Sequence, residues 1–395
     1  MKKVVIAYSG GLDTSYCAKY LSDEENFEVH AVSVNTGGFS EEEIEKIGYN
    51  AKKIGAATYK NIDAVSSFYN KVVKYLIYGN VLKNNTYPLS VSAERIVQAL
   101  EIINYAKETG AEYIAHGSTG AGNDQVRFDM IFQLIAPNIK IITPIRDKKL
   151  TRQEEIDYLK SKGVEMNWEK AKYSVNKGLW GTSVGGAETL TSEKPLPEEA
   201  YPSQLKEKEP QQITLGFTKG EFTSLNGKEN APEKNIQVLE EIAKQYAIGR
   251  DIHVGDTIIG IKGRVGFEAA AAQIIIKSHH LLEKHTLSKW QLQHKDYLAN
   301  WYGTHLHEGQ YLEPVMRDLE AFLESSQRQV TGEVYVSLHP YRFQLDGIKS
   351  DFDLMNSGFG KYGEENNAWT ADDAKGFIKI LSNSGKIYQY VKEKG

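Results

Sequence analysis

The stretch "VVIAYSGGLDTSYCAKYL", residues 4–21, decides how this chain is read. An apolar run at 4–8 passes straight into Ser9-Gly10-Gly11, and Asp13, Thr14 and Ser15 follow at once. An apolar strand that breaks on a glycine pair and restarts as a helix is the repeating unit of an α/β sheet. In such sheets ligands sit outside the carboxyl ends of the strands, and a glycine-rich turn lets the backbone come close to a phosphate. The N–H groups of the turn and the N-terminus of the next helix favour anions. Ser9, Thr14 and Ser15 add hydroxyl donors, and Asp13 is placed to reach a phosphate-bound Mg2+. The spacing matches neither the G-x-G-x-x-G fingerprint nor a Walker A loop, which ends in Gly-Lys-Ser/Thr. The competing reading is a tight strand-to-helix turn with Asp13 as its helix cap.

Outward from that turn, short apolar runs at 4–8, 29–34, 57–62, 113–115 and 139–145 alternate with amphipathic stretches. Residues 40–54 pair Ser40 with Glu43 as a capping box and place Ile44, Ile47, Ala51 and Ile54 on one face. Residues 92–107 show the same periodicity through Ile96, Val97, Leu100 and Ile103. The alternation predicts an α/β fold with a parallel sheet covered on both faces, over residues 1–166. From 167 to 365 the pattern turns α+β. There Pro195, Pro197, Pro202 and Pro210 mark an extended surface loop. "QITLGFTKGEFTSLNG", residues 212–227, reads as a hairpin turning at Lys219-Gly220. Ile236, Leu239, Ile242, Ala243 and Tyr246 mark a helix, and a longer helical stretch spans 269–290. Residues 366–395 hold a capping-box-like Thr370 and Asp373 before Phe377, Ile378, Ile380 and Leu381. That apolar tail helix either folds back or docks on a neighbouring subunit.

The chain has 395 residues, 41% hydrophobic, with a net charge of −5. More than one core is expected at this length, and the acidic balance argues against a large nucleic-acid surface. Cys17 is the single cysteine, so no intrachain disulfide forms and a reducing compartment suits the chain. No stretch approaches the ~20 apolar residues of a membrane span, and the N-terminus lacks a signal-peptide core. A soluble, cytoplasmic protein with no membrane or nucleic-acid partner is expected.

A second motif, "HGSTGAGNDQVRFDM" at 116–130, follows another predicted strand. Its glycines and hydroxyls form a loop suited to a phosphate or a carboxylate. Asn123 and Arg127 lie four apart, hence on one helix face, with Asp124 turned elsewhere. An amide and a guanidinium one turn apart make a clamp for an amino-acid carboxylate. His279, His280, His285, His305 and His307 lack a Cys or H-E-x-x-H context, so no metal held by the protein alone is predicted.

The S-G-G-L-D-T-S turn resembles the pyrophosphate loop of the ATP-pyrophosphatase superfamily, whose members cleave ATP between the α and β phosphates. Members that thiolate tRNA rely on catalytic cysteines; Cys17 lies inside the first helix and reads as packing, so sulfur transfer is not expected. Further stretches narrow the resemblance: "NTYPLSVSAER" (85–95), "YSVNKGLWGTSVGG" (173–186), "AIGRDIHVGDTIIGIKGRVGFE" (247–268) and "YGEENNAWTADDAKGFIKI" (362–380). With both loops, they make the chain similar to the argininosuccinate synthase family over nearly its whole length. An α+β synthetase domain and a C-terminal oligomerisation helix are then implied after the nucleotide-binding domain. The resemblance implies an AMP-forming carbon–nitrogen ligase joining citrulline to aspartate. The ureido oxygen attacks the α-phosphate of ATP, pyrophosphate leaves a citrullyl-adenylate, and the aspartate amine displaces AMP.

By the same resemblance, Ala7, Tyr8, Ser9, Gly10, Gly11, Leu12, Asp13, Thr14, Ser15, Val34 and Gly117 surround ATP, which comes with Mg2+. Thr119, Asn123 and Asp124 fall at aspartate positions; Tyr87, Ser92, Asn123, Arg127, Ser174 and Ser183 fall at citrulline positions. Asp13 and Asp124 are the candidate catalytic residues, Asp124 as the partner of the aspartate ammonium and an aid to its deprotonation. A homotetramer is implied as well. The chain departs from the family pattern around the amino-acid substrate. Gly255 and Phe267 stand where a Glu and a Tyr usually close the citrulline site, Ala121 stands where a lysine is common, and "SVSAERI" (90–96) keeps only Ser92 and Arg95 of the usual segment. The adjacent Asp256 is expected to restore the lost contact; the alternative is an acceptor whose amino group is acylated. Another amide-forming synthetase would lack "GNDQVRF" and "LWGTS". A non-catalytic nucleotide-binding protein would need neither the large second domain nor Asp13.

Overall fold

The structure, a computed structural model, describes residues 1–164, 166, 173–356, 358 and 368–394. The expected domain junctions at residues 167 and 366 fall outside the described residues. The N-terminal part alternates as its apolar runs predict: β1 (Lys3–Ala7), α1 (Leu12–Asp23), β2 (Glu28–Asn35), α2 (Glu41–Lys53) and β3 (Thr58–Asp63). The short α3 (Val65–Phe68) and α4 (Lys74–Tyr78) flank a π-helical turn, and α5 (Glu94–Glu108), β4 (Tyr113–Ala115) and α6 (Asp124–Ile135) follow. β5 (Lys140–Ile142), α7 (Pro144–Lys148) and α8 (Arg152–Ser161) complete this part.

Its five strands are parallel in the order β3-β2-β1-β4-β5. β1 takes the centre because Val4, Val5 and Ile6 are all wholly buried, leaving no polar face. Val4 and Ile6 pack into one cluster with Leu12, Ala51 and Leu159, while Val5 packs into the other with Ile96 and Leu100. The capping box opens α2 as predicted: Glu43 N donates to Ser40 Oγ at 3.2 Å and Ser40 N to Glu43 Oε2 at 2.8 Å. Chain order reverses direction between β1 and β4, so the loops leaving them part and open a crevice at the carboxyl edge.

The second part is α+β. Its elements are β6 (Ser174–Gly178), β7 (Gly181–Gly185), β8 (Gln211–Thr218), β9 (Glu221–Leu225), β10 (Lys228–Glu229), α9 (Pro232–Ala243), β11 (Arg250–Asp256) and β12 (Lys262–Glu268). α10 (Ala270–Thr286), α11 (Lys289–His307), α12 (Pro314–Ser326), β13 (Gly332–His339) and β14 (Arg342–Lys349) follow. The strands form two antiparallel sheets, β11-β12-β7-β6 and β10-β9-β8-β13-β14. The β8–β9 hairpin turns where predicted, with Lys219 at φ 49° and Gly220 at φ 81°, the left-handed pair that a two-residue hairpin loop requires. The helical stretch read over 269–290 is two helices. Ser288 caps α11, accepting from Gln291 N at 3.4 Å, a break that the continuing apolar spacing hid.

The two parts are clasped through the β6–β7 turn. Leu179 N donates to Thr36 O at 3.0 Å, and the buried Trp180 indole donates to Pro88 O at 3.0 Å. Near the end of the described residues, α13 (Ala371–Leu381) and α14 (Asn383–Lys392) bury none of their residues.

A buried polar cluster ties α4 to α10 and α11. Lys295 Nζ lies 2.9 Å from Glu283 Oε2 and donates to Tyr78 O at 3.1 Å, while Gln327 donates to Glu283 Oε1 at 3.0 Å. His279 completes it through Asn80 at 2.6 Å and Gln327 at 2.9 Å. Charges this deep are tolerated only when paired and hydrogen-bonded. Burial pushes His279 down to about 4, against the pull of Glu283. A histidine kept neutral in the fold binds fewer protons than in the unfolded chain between about pH 4 and 6.5, so its contribution is lost as pH falls through that window. His279→Gln is therefore expected to be less stable than wild type at pH 7, with the gap shrinking by on the order of 2 kcal/mol at pH 4.5. Denaturation midpoints at the two pH values check this; a constant gap contradicts it.

Candidate active site

The loops after β1 and β4 meet the second part across a cleft of about 1070 Å3. Every residue predicted to bind a substrate lines it except Gly10 and Ser15. These two sit behind the first loop. Ser15 is wholly buried with its hydroxyl 3.2 Å from the Tyr8 hydroxyl. Gly10 has φ 77°, and a Cβ there would meet Ile47 at 3.1 Å.

Helix α1 starts from Gly11, which offers no side-chain cap, and Asp13 lies in the first turn. Asp13 is therefore not the helix cap that the competing reading required. The first-turn N–H groups keep no side-chain acceptor, the condition for anion binding at a helix N-terminus. The second loop closes on the first: a Cβ on Gly117 would lie 3.2 Å from the Asp13 backbone and Thr14 N. Asp13 also meets a residue that sequence reasoning missed. Glu155, on α8 and 3% exposed, lies close enough that burial, then the Asp13 charge, push it up to about 8. Cys17 is wholly buried in α1 and burial pushes its thiol up, the state of a packing residue.

The geometry corrects the reading of the second motif. α6 begins at Asp124 with Asn123 at its cap, and Arg127 N donates to Asn123 O at 3.2 Å, so Asn123 does stand one turn from Arg127. Asn123 Oδ1 accepts from Ile258 N at 2.9 Å, reaching the β11–β12 turn. Asp124 does not turn elsewhere but meets Arg127 too: Asp124 Oδ1 accepts from Arg127 Nη1 at 2.9 Å and Oδ2 from Arg95 Nε at 3.0 Å. Arg127 is 3% exposed, and its Nε and Nη2 donate to His307 O at 3.0 and 2.8 Å. No amide–guanidinium clamp forms. Burial alone would raise Asp124, but the two guanidiniums outweigh it and hold the carboxyl below its usual range. The Asp124 side chain remains 40% exposed.

Arg95 also donates to Glu94 at 2.8 Å and Gln98 at 2.9 Å. Glu94 takes a further hydrogen bond from Thr36 at 2.7 Å, yet burial pushes it up to about 7. Only the retention of Arg95 in "SVSAERI" hinted at this cluster.

At the far end of the cleft, the buried Tyr87 accepts from Val91 N at 3.2 Å, and its ring lies 5.1 Å from His253 and 5.4 Å from Phe267. Phe267 is wholly buried. Along β11, His253 and Gly255 are buried while Val254 and Asp256 are exposed, as strand alternation dictates. The Asp256 carboxylate pairs with Lys262 at 2.7 Å. Asp256 lines the same cleft as Gly255. His253 and His307, given no role by the sequence, both line the cleft. Burial, then Arg127, push His307 down to about 3.

Comparison with known proteins agrees with this architecture. Residues 3–165 match the arginosuccinate synthase N-terminal HUP domain and residues 173–388 the arginosuccinate synthase C-terminal domain. The chain is 35% identical over 393 residues to the argininosuccinate synthase of Methanocaldococcus jannaschii, covering 99% of this chain and 98% of that one. It is 36% identical over 383 residues to that of Pyrococcus furiosus, covering 96% and 92%. For that of Xanthomonas axonopodis pv. citri the identity is 35% over 402 residues, covering 99% and 95%.

A Cβ on Gly11 would meet only Ser9 Oγ, at 3.4 Å, so alanine fits the protein itself and intrudes only on a ligand. Gly11→Ala is expected to keep the wild-type melting temperature and to lose affinity for Mg·ATP by about a hundredfold or more. Calorimetric titration checks it; unchanged affinity contradicts the loop assignment.

Proposed function

The chain belongs to the argininosuccinate synthase family, and from that premise we propose what its cleft residues do. It is an AMP-forming carbon–nitrogen ligase that condenses citrulline and aspartate with ATP, a reaction of arginine biosynthesis. The observation that carries the residue-level reading is the close approach of two glycine loops, at the carboxyl ends of β1 and β4, over an uncapped helix N-terminus.

The phosphates of ATP lie on residues 9–15 with Gly117 opposite, and Ala7, Tyr8 and Val34 beside the nucleotide. Among the described residues no cluster of three or more His, Cys, Asp or Glu side chains suits a metal. Mg2+ would then arrive on the phosphates with Asp13 as its protein contact, the usual arrangement for this ion. It would supply charge neutralisation on the leaving pyrophosphate. Tyr87, Ser92, Ser174 and Ser183 hold citrulline, and Thr119, Asn123 and Asp124 hold aspartate. A ureido oxygen is a poor nucleophile, so orientation and preorganised charge supply the acceleration, with no covalent intermediate on the protein. Asp124, ionised and open to the cleft, meets the aspartate ammonium. Held below its usual range, it is a weak base, so its part is binding. Arg127 acts from behind it, fixing Asp124 and the end of α11.

We also propose a cytoplasmic homotetramer built of residues 1–166, 167–365 and a tail, 366–395. Phe377, Ile378, Ile380, Leu381, Ile387, Tyr388, Tyr390 and Val391 are each 61–71% exposed on α13 and α14. An apolar helix pair of this kind is stable in water against another surface, and a second copy of the chain is the partner that fits a family tail.

AMP release that depends on both citrulline and aspartate tests the reaction; ATP binding without turnover would favour a non-catalytic nucleotide-binding protein. Asp124→Asn is expected to keep citrulline-dependent exchange between ATP and pyrophosphate while slowing overall synthesis by about tenfold to a hundredfold, the loss of a charge-assisted hydrogen bond. Equal loss of both would move Asp124 to the first half-reaction. Removing residues 368–395 is expected to lower the assembly size in light scattering; a folded, full-sized truncated assembly rules the docking role out.

A further inference from the structure

His253 projects from β11 into the cleft wall, where its ring stacks on Tyr87 at 5.1 Å and 27°. The residue is 7% exposed, and its Nδ1 has no hydrogen-bond partner in the protein. Unpaired buried polar atoms are costly and few in folded proteins. The opposite edge of the ring, Nε2, faces the space in the cleft wall that a side chain at 255 would take, and there it offers a hydrogen bond to a ligand's polar atom.

The surroundings limit what that ligand group is. Gly255 brings no side chain, and a Cβ there would come within 2.7 Å of His253 Nε2. The imidazole thus fills the space that a longer residue 255 would need. Asp256, adjacent to Gly255 and also in the cleft lining, is exposed and paired with Lys262. Glu94 and Asp124 are engaged by Arg95 and Arg127. The groups around His253 are Tyr87, Phe267, Lys83 and His307, none of them an anion at neutral pH. Burial, then Lys83, hold the His253 imidazole down, so it stays uncharged. A carboxylate in this place would select a cation. An uncharged ring hydrogen-bonds to an ammonium or an amide alike, and an amide has no charge to desolvate.

We infer that His253 is the residue through which the second domain reads the amino end of the acceptor, and that an imidazole there, with no carboxylate beside it, admits a citrulline whose α-nitrogen is acylated as well as the free amino acid. This rests on the assignment of Tyr87, Ser92, Ser174 and Ser183 to the acceptor. Steady-state kinetics with citrulline and with Nα-acetylcitrulline test it, on wild type, His253→Leu and His253→Asn. In wild type, kcat/KM for the two acceptors is expected to agree within about a hundredfold. His253→Leu, which keeps an apolar surface against Tyr87, raises the KM of both acceptors about tenfold while the KM for ATP stays within about twofold. His253→Asn, which keeps a polar side chain in the cleft wall, recovers most of that loss. A larger wild-type preference for free citrulline overturns the inference and leaves the ligase assignment standing. An unchanged acceptor KM in folded His253→Leu overturns the role of His253. If neither acceptor is turned over while ATP still binds, the acceptor assignment itself fails. Should the substituted proteins not fold, the wild-type comparison of the two acceptors decides.

Discussion

Gly117 lies so close to the start of α1 that a single added carbon would stand 3.2 Å from the Asp13 backbone. That approach of two loops is the constraint on which the cleft depends. It arises where β1 and β4 lie side by side with their connections running to opposite sides, so the loops face one another across the crevice. A side chain at Gly117 would force them apart. A cap on α1 would occupy the N–H groups that a phosphate needs. Both glycine positions and the missing cap therefore follow from one requirement, room for an anion against bare backbone.

The amino-acid end of the cleft is organised differently, by charge. Glu94, Arg95, Asp124, Arg127 and the His307 carbonyl form a continuous chain of contacts from α5 through α6 to the end of α11. Losing the buried Arg127 would leave Asp124 with one guanidinium partner and His307 O without its donors, which costs more than the contacts stabilise. The chain fixes Asp124 in its ionised form and binds the second part of the protein to the nucleotide-binding sheet. Rigidity at this end and open backbone at the other suit a reaction whose acceleration comes from holding three substrates in register.

What the sequence disclosed and what it hid follow from the range of the interactions. The parallel sheet was legible because wholly buried strands such as residues 4–6 need no polar face, and the Lys219-Gly220 hairpin because its turn demands positive φ. The two loops were legible as motifs. The direction of Asp124 was not: residues three and four before Arg127 both neighbour it on a helix, and spacing alone does not say which side chain takes the guanidinium. Glu155 against Asp13, and His253 against Tyr87, join residues far apart in the chain, and no local pattern announces either. Asp256 lines the cleft beside Gly255, and its pairing with Lys262, six residues on, is one that adjacency in sequence does not reveal.

The central claim is that this cleft brings the ureido oxygen of the acceptor onto the α-phosphate held between the two glycine loops. Citrulline labelled with 18O at the ureido oxygen tests it directly, by mass spectrometry of the AMP formed in a complete reaction with ATP and aspartate. Attack by that oxygen predicts that the label passes into the phosphate of AMP. AMP formed without label would contradict the account, because the carbon–oxygen bond would then have been broken without the α-phosphate taking the oxygen.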